Sequence, residues 1–246
     1  MSKIVAGQIR SEHFDRGTHM QADTATGGNQ KLIELEKMKE DLEDRLKEMS
    51  RTVKKQETMI ALAKRDPLTG LRNRQGIPEL VSASLRAHCE GTFFIMDLDN
   101  FKSVNDTYGH MEGDRVLIRF AKALRVSIDP DDITARLGGD EFVVFSPGHY
   151  DKYELKAKAK RFIRQIERSL LTPGKPMQVT VSIGIARAPL DGATYEALYE
   201  NADKALYSVK NEGKNGFRFF DELNDPAHST VLCGTPHTSL EEITNK

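Results

Sequence analysis

Tryptophan is absent from this chain of 246 residues, and there are only two cysteines, Cys89 and Cys233. They lie far apart and form no metal-binding or redox motif, which excludes a disulfide framework or a cysteine zinc site and fits a reducing cytoplasm. No apolar run approaches the roughly 20 residues that cross a bilayer. The start of the chain lacks the apolar centre of a signal peptide. An excess of either charge is also missing: 36 Lys and Arg stand against 37 Asp and Glu, a net charge of -1. That argues against a nucleic-acid coat and against docking on an anionic membrane. Any basic residue that matters must therefore act locally.

What is present falls into four parts. Residues 1–30 are polar and Gly/Thr-rich and read as a disordered leader, in which Arg16-Gly17-Thr18-His19-Met20 looks like a cloning junction. Residues 31–65 carry a heptad pattern. With Leu32 at position a, the seam is Leu32, Leu35, Lys39, Leu42, Leu46, Met49, Val53, Gln56, Ile60 and Ala63, flanked by Lys and Glu. A stripe this narrow is a coiled-coil seam. It needs a partner, either a second copy of the chain or the helix's own domain, and the copy is the simpler choice. Lys39 and Gln56 interrupt the seam and suit a stalk of tuned register. The heptads end at Asp66-Pro67, because proline cannot continue a helix interior. Residues 66–221 form the globular domain, and 222–246 read as a flexible tail.

The globular part alternates between periods. Helices are expected over 77–87, 100–108, 114–127, 152–171 and 195–211. Strands are expected over 92–98, 133–137, 142–146, 178–188 and 217–220, with Gly138-Gly139-Asp140-Glu141 as a hairpin turn. Strands interleaved with helices predict an α/β fold, an α+β sandwich around one sheet. Two acidic clusters sit at strand ends, Asp97-Leu98-Asp99 and Asp140-Glu141. Carboxylates on adjacent strand edges make a natural Mg²⁺ site, since Mg²⁺ takes one or two carboxylates and completes its shell with water and phosphate oxygens. Asp99, just before a helix, reads instead as its N-cap.

Arg136-Leu-Gly-Gly-Asp-Glu-Phe142 resembles the signature of the GGDEF family of diguanylate cyclases. The resemblance extends over about residues 64–220. It takes in Asp66-Pro-Leu-Thr-Gly-Leu71 with Asn73-Arg74, Asp97-Leu-Asp-Asn-Phe-Lys102, Asn105-Asp-Thr-Tyr-Gly-His110 and Gly113-Asp114. Val181-Ser-Ile-Gly-Ile185, Ala202-Asp203-Lys204-Ala205-Leu206-Tyr207, Lys210 and Gly213-Lys214-Asn215 follow in family order. The resemblance implies a palm-like nucleotidyl-cyclase sheet flanked by helices and preceded by a coiled-coil helix. It implies condensation of two GTP into cyclic di-GMP in a homodimer joined through the stalk, in the cytoplasm, with no nucleic-acid or membrane partner. Mg²⁺, or Mn²⁺ in its place, would be held by Asp97, Asp140 and the Leu98 carbonyl. Asp140 also occupies the position of the family's proposed general base, Glu141 would line the same site, and Lys102 would stabilise the transition state. Gly138 and Gly139 would let the backbone lie against the nucleotide, beside Phe101. Asn105 and Asp114 match the guanine-reading pair, with His110 beside them, although each could simply cap a helix. A carboxylate accepts from guanine N1–H and N2–H₂, so Asp114 favours GTP over ATP. Lys210 and Lys214 match a phosphate-binding pair. Here the chain departs slightly from its relatives, which often carry arginine at the Lys214 position; lysine keeps the charge without the bidentate fork. It departs further upstream of the signature, where Asp129-Pro-Asp-Asp132 replaces the family's Arg-x-x-Asp product-inhibition motif. The opposing expectation is a non-catalytic receptor for GTP or cyclic di-GMP. No sensor domain is recognisable ahead of the stalk, which leaves room for an upstream input.

Overall fold

A computed structural model describes residues 5–170, 179–223 and 231–232, with side chains over 29–170 and 179–223. Two compact units emerge, Met1–Ala61 and Leu62–Lys246. The first is helix α1, Val5–Ala63, which continues a little past that boundary. The segment expected to be a disordered leader is thus helical from Val5. No proline precedes Pro67, and once a helix is nucleated each further residue adds one hydrogen bond for one residue fixed. Along α1 the seam residues Leu32, Leu42, Leu46 and Met49 are all more than half exposed.

The helix gives way to a tight turn. Asp66 Oδ1 accepts hydrogen bonds from the Thr69 backbone N–H (2.8 Å) and hydroxyl (2.6 Å), an Asx-turn that replaces the helical ladder. Asn73 Nδ2 donates to the Ala63 carbonyl at 2.7 Å, satisfying one of the orphan acceptors at the helix end.

The second unit contains helices α2 (Ile77–His88), α3 (Phe101–Tyr108), α4 (His110–Ser127), α5 (Lys152–Leu170) and α6 (Tyr195–Asn211). Its strands are β1 (Gly91–Asp99), β2 (Ile133–Gly138), β3 (Glu141–Pro147), β4 (Thr180–Ala188), β5 (Gly216–Phe219) and β6 (Val231–Leu232). They form one sheet in the order β2-β3-β1-β4-β5-β6. β1 is central and antiparallel to both β3 and β4, and β4 runs parallel to β5. This is the mixed α/β fold the alternating pattern predicts. Within the tail, residues 231–232 pair with β5 as an edge strand. At the start of the tail, Glu222 closes a short helical turn, Phe220–Glu222, and is buried against Lys152 at 2.9 Å rather than flexible; residues 224–230 and 233–246, Gln178 and Leu171 lie outside the described residues.

Every residue of β1 is buried, as a strand covered on both faces requires. Phe94 and Met96 join one core with Phe120, Phe162 and Ile166 from α4 and α5. Phe93 and Ile95 join the other with Val81 of α2 and Leu198, Ala202 and Leu206 of α6. α6 begins at Thr194, whose hydroxyl caps the Ala197 N–H at 3.2 Å. It lies so close on β4 that a Cβ at Gly184 would collide with the Ala202 carbonyl and meet the Leu206 nitrogen at 2.5 Å. That approach carries the C-terminal end of α6, with Lys210, to the end of β1.

Candidate active site

The C-terminal end of β1 and the β2–β3 turn meet. The Leu98 N–H donates to the Asp140 carbonyl at 3.4 Å, and Asp97 stands opposite Glu141 in the ladder. Gly138 and Gly139 adopt φ of 148° and 51°, values that side chains with a Cβ resist. Beside this junction opens a cleft of about 620 Å³. Asp97, Leu98, Phe101 and Lys102 line it from β1 and α3, Asp140 from the turn, and Lys210 and Lys214 from the far side. Seven of the residues singled out from the sequence are therefore brought together.

Burial pushes the Asp97 carboxyl up to about 6, and the neighbouring carboxylates of Asp140 and Asp99 add to the rise, while its contact with Lys210 opposes it. Lys210 Nζ lies 2.8 Å from Asp97 Oδ2. Asp97 is only 8 % exposed, and one ammonium does not offset its desolvation. A second positive charge at this point would.

Among the described residues no group of three or more His, Cys, Asp or Glu side chains forms a closed metal cage. The pair Asp97 and Asp140, with the Leu98 backbone between them, is instead an open donor set. It fits a hard cation that takes one or two carboxylates and leaves positions for phosphate oxygens.

Asp99 departs from the expected role. The residue at the α3 N-cap position is Asn100, at φ 62°, and Asp99 turns inward. It is 2 % exposed and accepts hydrogen bonds from Ser182 Oγ (2.8 Å), Thr180 Oγ1 (2.7 Å) and the Asn215 N–H (3.1 Å). A buried carboxylate with three donors nearby satisfies them rather than a helix end.

The guanine-reading candidates lie in the α3–α4 corner and do not line the cleft described above. Neither Asn105 nor Asp114 is a helix cap. Asn105 lies within α3, Asp114 lies within α4, and Gly109 between the helices makes no side-chain capping bond. A Cβ at Gly113 would strike the Asn105 Oδ1 and come within 3.2 Å of the Phe101 ring. The glycine thus seats the Asn105 carboxamide one position from Asp114. His110 and Asp114 are exposed.

Glu141 also stands outside the cleft lining, its carboxylate 3.6 Å from the Arg74 guanidinium. The turn itself is bracketed. Arg136 donates through Nε and Nη2 to the Gly139 carbonyl at 2.9 and 2.7 Å. Its Nη1 reaches both Asp66 oxygens at 3.1 Å. Asp66 and Arg136 stand in motifs whose sequence alone gives neither of them a role. Asp99, Asn100, Ser103 and Asp106 also line the cleft.

Residues 63–216 match the family model described as diguanylate cyclase, GGDEF domain. The chain is 36 % identical over 167 residues to the bifunctional diguanylate cyclase/cyclic di-GMP phosphodiesterase MucR of Pseudomonas aeruginosa, covering 66 % of this chain and 24 % of that protein. It is 37 % identical over 173 residues to the probable diguanylate cyclase DgcT of Escherichia coli, covering 66 % of this chain and 37 % of DgcT. It thus spans between a quarter and two fifths of the length of these relatives. Among solved structures it is similar to the coiled coil and GGDEF domain of DgcB from Caulobacter crescentus in complex with c-di-GMP. That match has 26 % identity and a TM-score of 0.62, and covers 74 % of this chain and 97 % of that one.

Proposed function

The chain belongs to the GGDEF family of diguanylate cyclase domains, and from that premise we propose that it joins two GTP molecules into cyclic di-GMP with release of two pyrophosphates. In each half-reaction the 3′-hydroxyl oxygen of one GTP bonds to the α-phosphorus of the other. The bond from that phosphorus to the pyrophosphate oxygen breaks, and the hydroxyl proton passes to a carboxylate, for which Asp140 is the candidate. The observation that carries this reading is the meeting of Asp97 and Asp140 at one cleft whose other walls bear Lys102, Lys210 and Lys214.

Mg²⁺, when bound by Asp97, Asp140 and the Leu98 carbonyl, would neutralise phosphate charge and acidify the attacking hydroxyl. The lysines would hold the triphosphate, joined by backbone N–H groups at the start of α3. Asn105 and Asp114 would read the guanine edge from the α3–α4 corner, with His110 nearby and Phe101 beneath. Gly138 and Gly139 would admit the nucleotide to the backbone of the turn, and Glu141 would stand behind it, held by Arg74. GTP is a cytoplasmic nucleotide, and the reading places the domain in that compartment. Among the described residues no helix is long and apolar enough to cross a membrane.

The product is two-fold symmetric, so two cleft-bearing domains must face each other. The exposed seam of α1 supplies the pairing, and a stalk dimer raises the effective concentration of the second half-site. Incubation with GTP and Mg²⁺ followed by nucleotide chromatography tests the chemistry: cyclic di-GMP accumulates, and Asp140→Ala abolishes it. A protein that binds GTP without turnover would instead be a receptor. Deleting residues 30–60 tests the stalk. Specific activity then falls steeply as the enzyme is diluted, and unchanged activity at nanomolar protein removes the stalk from the mechanism.

A further inference from the structure

We propose that Asp99 is a positioning residue for phosphate binding: it fixes the turn that follows α6 and so sets where Lys214 stands. The proposal rests on the GTP reading above.

Beyond α6 the backbone runs through three consecutive left-handed residues, Gly213 (φ 118°), Lys214 (φ 64°) and Asn215 (φ 48°). Two of them carry side chains, and such conformations persist only where the surroundings over-determine them. Among the described residues the buried carboxamide oxygen of Asn215 has no hydrogen-bond partner, while the side chain hydrogen-bonds Glu167 of α5. The Lys214 N–H donates to the Val209 carbonyl at 3.0 Å, and a restraint from outside the turn comes from the Asp99 carboxylate, which accepts the Asn215 N–H at 3.1 Å. That carboxylate is anchored in turn by the hydroxyls of Thr180 and Ser182 on β4. One side chain therefore ties the end of β1, the start of β4 and the entry to β5. The lysines occupy the two sides of this tie. Lys210 reaches Asp97 at 2.8 Å, and Lys214 donates to Asn100 Oδ1 at 2.9 Å. Releasing the turn would let Lys214 move toward solvent while Asp97 and Asp140 stayed in place on the β1–β3 ladder. The deficit should therefore fall on phosphate affinity.

The test uses the full chain, with GTP and GMP binding measured by calorimetry in Ca²⁺ in place of Mg²⁺ to suppress turnover. Asp99→Ala should weaken GTP about tenfold, the scale of one lost charge-assisted contact, and GMP less than threefold. KM should rise with kcat retained. Lys214→Ala should give a similar loss, and the double variant should be no weaker than Asp99→Ala alone, because both remove the same interaction. Asp99→Asn should restore most of the affinity. Its oxygen can accept from Thr180 and Asn215 while its amide donates to the Ser182 hydroxyl. Wild-type GTP affinity in Asp99→Ala, losses that add to those of Lys214→Ala, or an equal loss for GMP would each overturn the proposal while leaving the cyclase reading standing. A wild-type chain that binds no GTP removes both. If Asp99→Ala does not fold, the Thr180→Val/Ser182→Ala variant, which strips two of the three restraints, is judged by the same measurements.

Discussion

Replacing Asp97 by asparagine should stabilise this protein at neutral pH in the absence of divalent ions while abolishing its chemistry. The Asp97 carboxyl is raised from 3.8 to about 6 by burial and by its acidic neighbours. Below pH 4 it is protonated in folded and unfolded chains alike and costs nothing. Between pH 4 and 6 the unfolded chain releases the proton and the folded chain keeps it, so stability falls as pH rises through this window. Above pH 6 the folded protein holds a buried carboxylate, and the whole displacement, at about 1.4 kcal/mol per pH unit, amounts to about 3 kcal/mol. Asparagine avoids that cost but brings an amide to desolvate, which leaves a net gain of about 1–3 kcal/mol at pH 8. Thermal unfolding in EDTA across pH 4–8 reads this directly, at about 2–4 °C per kcal/mol for a domain of this size. The two proteins should melt together near pH 4 and separate by pH 7, with Asp97→Asn the higher. Millimolar Mg²⁺ should then raise the wild-type midpoint and leave Asp97→Asn unmoved. If the gap between them is the same at pH 4 and pH 8, or if Asp97→Asn melts lower at pH 8, Asp97 is not the strained carboxylate described here.

Three further outcomes follow from other contacts. Arg136→Lys keeps the charge but cannot reach both the Gly139 carbonyl and the two Asp66 oxygens; kcat should fall at least tenfold with a smaller change in KM, measured by steady-state product formation. Gly184→Ala forces a methyl against the Ala202 carbonyl and should destabilise by about 1–3 kcal/mol, seen as a lowered melting midpoint, with α6 and its Lys210 displaced from Asp97. At the stretch where relatives carry Arg-x-x-Asp, Lys158 lies 2.7 Å from both Asp129 and Asp132, and Arg161 lies 3.1 Å from Asp129. With those cations already taken, cyclic di-GMP should not inhibit strongly through this site in a product-titration assay. Tight inhibition that disappears on mutating Asp129 or Asp132 would contradict this.

What could be read from the chain depended on how far apart the interacting residues lie. The helices and strands were legible because each encodes its own burial locally. Phe93 and Phe94 face opposite layers of β1, and α6 runs from Tyr195 to Asn211 as its apolar spacing predicts. The α4 start was misplaced by one turn because Gly109, at φ 81°, ends α3 and opens α4 without a polar cap to announce it. In the leader, polar composition argues against a buried core, not against a helix that extends one already formed.

The polar residues were hardest, for a related reason. A carboxylate in a motif looks the same whether it will hold a cation or a backbone amide. Asp97 and Asp99 sit two residues apart at the same strand end, and the local pattern favoured a cap for Asp99. Its actual donors lie 81, 83 and 116 residues away in sequence. Asp66 and Arg136 meet across 70 residues. In both cases the two ends of the tie occupy separate motifs, and several of those motifs also carry residues that line the cleft, Asp97, Asp140 and Lys214. A motif in this fold therefore mixes groups that face a ligand with groups that face another motif. Only the packed sheet separates them: Asp97 lies at the cleft with one ammonium against it, whereas Asp99 has spent both oxygens on the neighbouring strand and turn. On the proposed reading the first would exchange its ammonium for a divalent ion. The second can exchange nothing without releasing the turn that carries Lys214.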